Sequence, residues 1–226
     1  RNERDGRWRC EFWGKIVRSA IRSWRAVPDP ELDRRIRETV RSLCATQTPD
    51  GCISSYPAEL QTQDWDIWGR KYALLGICRY YREMEQSEEV RHAVSGCLSH
   101  LMTQVGPGVK RIVDCGHHTG LAASSILGAV VAAARVTGEE RFLDYAKWIA
   151  SQGGSTAGNI FELARRGTPP AELGNGKAYE MTSCFEGLLE LYRETGDPEQ
   201  LDAVVKYFRA VRDRELFITG VGGLKD

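Results

Sequence analysis

The chain has 226 residues, of which 42% are hydrophobic and 27% charged, with 31 basic side chains set against 31 acidic ones. That describes one globular domain or part of a larger one, and the cancelled charge removes any electrostatic case for a nucleic-acid or anionic-membrane partner. Glycine and proline number 23 and 8, too few for a collagen-like or disordered chain.

The opening segment RNERDGRWRC starts at Arg1 and holds no apolar run of the kind a secretory signal needs, so the natural N-terminus is expected upstream. A first helix is expected over residues 13–24, apolar around much of its circumference. After the break PDPEL a second follows, with Leu32, Ile36, Val40 and Leu43 on one side only. The same pairing returns three more times. Inner helices are expected over 67–84, 121–136 and 178–194, each followed by a one-sided outer helix. The outer stripes are Val90, Val94, Cys97 and Leu101; then Phe142, Ala146, Ile149 and Ala150; then Leu201, Val204, Val205, Phe208 and Val211. The apolar stretch 120–134 reads as too short and too weakly hydrophobic to span a bilayer.

Measured from Leu32 to Val90, Leu143 and Leu201, the steps are 58, 53 and 58 residues, the period of a helical-hairpin array. Breaks inside a pair are short and acidic, as the start of a helix prefers. Connections between pairs are long, over 48–64, 105–118 and 153–177. The expected fold is therefore all-α, an (α/α) toroid holding four of the six hairpins of an (α/α)6 barrel, in one partial domain over 1–226. If the inner helices run parallel, every long connection arrives at the same rim, and function is expected there.

Three stretches reach that rim. In the first, Asp64 or Asp66 can cap the coming helix, with Trp65, Trp68 and Tyr72 in its opening turns. Aromatic faces beside carboxylates suit sugars, whose C–H faces stack on rings while their hydroxyls bond to charged groups. The competing reading makes both tryptophans core and Asp66 only a cap. The second stretch brings His117 and His118, of which at most one is expected to touch a ligand, since neighbours on a helix start point apart. His92 and His100 fall on an outer helix and are expected at the surface. The third brings Tyr179 and Glu180; Glu186 and Glu190 lie further along as buried partners or outward charges. There is no G-x-S-x-G, H-E-x-x-H, phosphate-binding loop or dinucleotide fingerprint. Seven cysteines (Cys10, Cys44, Cys52, Cys78, Cys97, Cys115 and Cys184) are scattered without a C-x-x-C pair, which favours free thiols and a cytoplasmic location.

Taken in order, LCATQTPDGCISSY, WDIWGRKYALLGICRYY, VGPGVKRI, GLAASSILGAVVAAARVTGEERFLDYAKWI, KAYEMTSCFEGLLELYRETGDPEQL and ELFITG resemble glycoside hydrolase family 127, the β-L-arabinofuranosidase family. The resemblance implies an (α/α)6 barrel followed by β-sandwich domains. It implies a retaining exo-glycosidase with a glutamate acid/base and a zinc-held cysteine thiolate as nucleophile, the metal bound by a glutamate and three cysteines. In the family those residues follow the I-T-G segment, and this chain ends at Asp226, so the catalytic and zinc-binding residues are expected beyond Asp226 and none within it. Gly69 and Ala123 stand where arabinofuranosidase members carry inner-helix histidines, which places the chain in another branch.

The expected function is thus a family 127-like glycosidase acting on terminal sugars of plant-type glycans, with Trp65, Asp66, Trp68, His117, His118, Tyr179 and Glu180 lining part of the sugar pocket. The alternatives are a non-catalytic helical scaffold or glycan-binding toroid, or another α/α-barrel enzyme such as an unsaturated uronyl hydrolase. The last would need a basic groove for uronates, and only Arg70, Lys71 and Lys177 are near the rim. Uncovered flanks beside Trp13 and Leu189 are expected to favour self-association.

Overall fold

A computed structural model describes residues 7–220 and Gly222, and within them the regular elements are helices joined by irregular connections. The opening segment read for a signal falls largely on residues 1–6, outside the described residues. No strand is present among the described residues; two isolated bridges, Gly106 with Lys110 and Leu216 with Gly222, tie turns together.

The hairpins are α1 (Arg9–Ala26) with α2 (Pro30–Cys44), and α3 (Asp66–Glu83) with α4 (Glu88–Gln104). Then come α5 (Leu121–Ser124) and α6 (Leu127–Thr137) with α7 (Glu140–Ser151), and α9 (Ala178–Thr195) with α10 (Pro198–Arg214). Local chemistry sets the tight turns. Asp29, Ser87 and Asp197 accept backbone N–H groups of the helices they start. Pro30 and Pro198 stand at first helical positions, where a missing N–H costs nothing. Gly138 and Gly196 end α6 and α9 at φ of 70° and 69°, a conformation other residues adopt at a cost.

Inner helices pack side by side in chain order, α1 on α3, α3 on α6 and α6 on α9. Small residues let the backbones approach: a Cβ at Gly14 of α1 would lie 2.1 Å from the Tyr72 carbonyl oxygen of α3. Outer helices bury one side, as Ile36 and Val40 do in α2, each such side chain contributing about 1.5–3 kcal/mol. All seven cysteines are free thiols.

Four details depart from the sequence reading. The third inner helix is broken between Ser124 and Leu127, where Ser125 Oγ donates to the Ala122 carbonyl at 2.7 Å and competes with helical bonding. The segment His118–Thr137 is in fact long and apolar enough to cross a membrane by length and composition. Here it is a core segment, its α6 part packed against α3, α4, α7 and α9. The third connection contains a further short helix, α8 (Ile160–Arg165), capped by Asn159. In α10 the buried residues are Ala203 and Tyr207, because Tyr207 stacks on Phe185 at 3.8 Å and shares a hydrogen bond with Thr182; Phe208 is 66% exposed.

Candidate functional site

The connection before α3, the 116–120 turn and the start of α9 meet at one end of the inner ring. Trp65 stands at the centre. Its ring lies 5.0 Å from His117, 5.3 Å from His118 and 5.8 Å from Trp68, with Trp8 at 5.8 Å on another side. Trp68 meets Tyr179 edge to face at 5.1 Å and Tyr72 at 5.3 Å, and the hydroxyls of Tyr72 and Tyr179 are hydrogen-bonded to each other. Edge-to-face pairs of this kind add about 0.5–1.5 kcal/mol each beyond buried area, enough to hold the rings in one arrangement.

Both histidines border the mouth, where the sequence reading allowed one. The backbone explains it: His118 and Thr119 both have positive φ, 56° and 55°, so the chain turns between the two rings instead of spiralling. His117 Nε2 lies 3.4 Å from Asp64 and His118 Nε2 lies 3.9 Å from Glu180. Asn175, from the third connection, contacts His118 Nδ1 at 3.1 Å. Trp65, His117, His118 and Tyr179 therefore face solvent, while Trp68 and Glu180 form the floor. Glu180 is 2% exposed, and its Oε2 has no hydrogen-bond partner. That vacancy costs about 1–3 kcal/mol, which a donor reaching it would recover.

Asp66 takes a different place. It is the first residue of α3, not its cap, and its side chain is fully buried. The carboxylate accepts hydrogen bonds from the Ser54 hydroxyl, from the Thr62 backbone N–H at 2.8 Å and from Arg70 Nε at 3.1 Å. Arg70 passes the network to Gln104 at 3.0 Å and to His100 Nδ1 at 3.3 Å, and His100 Nε2 reaches Asp50 at 3.3 Å. His100 is thus buried, contrary to its expected surface position, because the guanidinium beneath it and the carboxylate above it both use its ring. Burial, with the Arg70 charge, holds the His100 pKa below its usual value. Thr62 and Asp64 carry positive φ, so this network pins a strained loop under Trp65.

Sequence reasoning noted Lys71 at the rim but missed its setting. The side chain is 3% exposed, with Nζ 3.4 Å from the Trp68 ring centre, 4.5 Å from that of Tyr72 and 3.1 Å from Ser125 Oγ. Burial pushes its pKa down to about 7. The π-faces oppose this, but a desolvated cation–π contact is worth about 2 kcal/mol, or roughly 1.5 pKa units, against 3–5 units for full burial, so burial wins. Lys15 of α1 adds a second ammonium, 4.9 Å from Tyr72 and 2.5 Å from Glu11. The visible signal was helical spacing: Asp66 with Arg70, and Trp68 with Lys71 and Tyr72, are three or four residues apart. Trp8, Glu11 and Lys15 were missed because the first helix, expected from residue 13, begins at Arg9, which brings its first two turns to the mouth.

A sequence model of the β-L-arabinofuranosidase GH127 catalytic domain matches residues 2–226. The chain belongs to that family. Among solved structures it is similar to a GH127 β-L-arabinofuranosidase from Geobacillus stearothermophilus T6, at 19% identity and a TM-score of 0.70, covering 93% of this chain and 36% of that one. A second GH127 β-arabinofuranosidase matches at 17% identity and a TM-score of 0.65, over 93% of this chain and 35% of that one. A third structure, described as a glycoside hydrolase, matches at 18% and 0.64, over 96% and 35%. The chain therefore spans about a third of the length of these relatives, and at such identities the likeness carries the fold. No curated protein matches. Zinc, which the family resemblance implies, does not fit the residues present: among the described residues no three His, Cys, Asp or Glu side chains converge. The buried thiols are also held protonated, Cys184 being pushed up to about 12. No chemical step is assigned to a metal on this chain.

Proposed function

We propose that this GH127 chain forms the binding wall of a glycoside hydrolase and that its aromatic mouth takes a terminal pentose or related sugar, with a β-L-arabinofuranoside as the family's probe. The carrying observation is the half-buried Trp65 face flanked by two imidazoles, with Tyr179, 51% exposed, beside it and a partnerless carboxylate oxygen on the floor. Ring faces stack on the sugar's C–H groups, while His117, His118 and Glu180 bond to its hydroxyls. Trp68 and Tyr72 hold the floor flat, and Asp66 with Arg70 holds the loop that carries Trp65. The uronyl-hydrolase alternative loses support, since Arg70 is engaged by Asp66 and Lys71 is buried, leaving Lys177 alone of the three rim cations to meet a uronate.

The test is tryptophan fluorescence during titration with methyl β-L-arabinofuranoside. A saturable change that Trp65→Ala weakens at least tenfold supports the proposal; no saturable change contradicts it. The chain alone is expected to hydrolyse no aryl β-L-arabinofuranoside. Turnover abolished by Glu180→Gln would contradict the assignment of binding without catalysis.

A further inference from the structure

At the end of the inner ring opposite the mouth lies a second cavity, about 220 Å³ in volume, between α1, α3 and α6. Four arginines line it, Arg18, Arg79, Arg82 and Arg135, and no acidic residue does. Helix C-termini attract cations, which accounts for arginine in the last turns of α3 and α6. It does not account for the surplus. Arg135 is matched by Glu190 and Glu194, at 2.6 Å each. Around α3, however, a single carboxylate, Glu83, is shared by Arg25, Arg79 and Arg82. Arg18 has no carboxylate within ion-pair distance among the described residues.

Arg79 shows the consequence. It pairs with Glu83 through one terminal nitrogen at 3.1 Å, while its Nε is buried with no hydrogen-bond partner. Burial and the nearby Arg22 and Arg18 charges depress its pKa, the mark of cations crowded in a poorly solvated place. A cavity lined by more guanidinium charge than carboxylate is the complement of an oxyanion, because the planar fork of an arginine matches two oxygens at once. The volume falls below the ~300–1,000 Å³ of cavities that take drug-sized ligands, which favours a small ion over a sugar.

We infer that this cavity is a binding site for a small multivalent oxyanion, phosphate or sulfate in class, held by Arg18, Arg79 and Arg82. It is separate from the aromatic mouth and does not depend on what the mouth binds.

The probe is inorganic phosphate, titrated calorimetrically into the full chain at constant ionic strength. One saturable site is expected, with sulfate competing. Arg79→Gln and Arg18→Gln should each weaken binding at least tenfold, while Arg35→Gln on the exposed side of α2 leaves it unchanged. Arg18 makes no ion pair that the fold uses, so its variant carries the test if Arg79→Gln unfolds by circular dichroism. Absence of a saturable site would overturn the inference. So would full displacement by acetate or chloride at equal ionic strength, or unchanged affinity in the Arg18 variant.

Discussion

The two ends of the inner helices are built by different rules. At the hairpin end, α1 passes to α2 and α9 to α10 through turns of a few residues, each set by an acidic or glycine cap beside a proline. At the mouth end, loops of a dozen residues or more meet one another, five non-glycine residues (Arg7, Thr62, Asp64, His118 and Thr119) take positive φ, and a buried carboxylate ties the loop before α3 to that helix. The turns of the first end are set by local interactions that any helical hairpin uses, with ion pairs such as Arg25–Glu83 and Arg135–Glu190 crossing between helices beside them. The second is held by polar contacts between segments distant in sequence, and it is there that a buried carboxylate is fully engaged by loop and helix while another has an unpartnered oxygen.

The sharpest way to break that contrast is at Asp66. Asp66→Asn leaves the Arg70 guanidinium buried without its charge partner and is expected to cost about 3–5 kcal/mol in urea unfolding. A loss under 1 kcal/mol would mean the network does not hold the mouth. Next in size is Gly14→Ala. In a free helix the change would gain about 0.5–1 kcal/mol, but the Cβ would meet the Tyr72 carbonyl, so a net loss of about 1–3 kcal/mol is expected in the same assay.

Lys71 sharpens the contrast through pH. Its folded pKa is lowered by burial to about 7, from the 10.5 of a lysine in water. Below pH 7 the amine is protonated in both states and the burial penalty is fully present. Between those values the unfolded chain alone binds the proton, so stability rises with pH, by up to about 1.4 kcal/mol per unit. The stability of wild type relative to Lys71→Met should therefore improve between pH 7 and 9; a flat difference would show that Lys71 stays charged. The smallest effect is expected on the outer layer. Arg34 pairs with Glu31 and Glu38 on an exposed face, and Arg34→Ala should leave the urea midpoint unchanged within error.

The same division decides what could be read from the sequence. The hairpin period, the short breaks and the one-sided stripes of α2, α4 and α7 were legible because they rest on spacing and caps. Trp65, Trp68, His117, His118, Tyr179 and Glu180 were legible as neighbours because parallel inner helices bring their first turns to one rim. The buried network was not. Asp66 and a helix cap look alike until Ser54 and Thr62 fold onto the carboxylate, and His100 looks exposed until Arg70 reaches it from another helix. The turned face of α10 escaped for a similar reason: periodicity cannot tell that Tyr207 will find Phe185 to stack on.

The central claim is that the Trp65 face, backed by Trp68 on the floor, takes the sugar. Indole N–H resonances of the six tryptophans, followed by NMR during titration with methyl β-L-arabinofuranoside, test it directly. The account predicts saturable shifts at Trp65 and Trp68 with Trp24 and Trp148 unmoved. Shifts confined to Trp24 or Trp148, or none at saturating sugar, would contradict it.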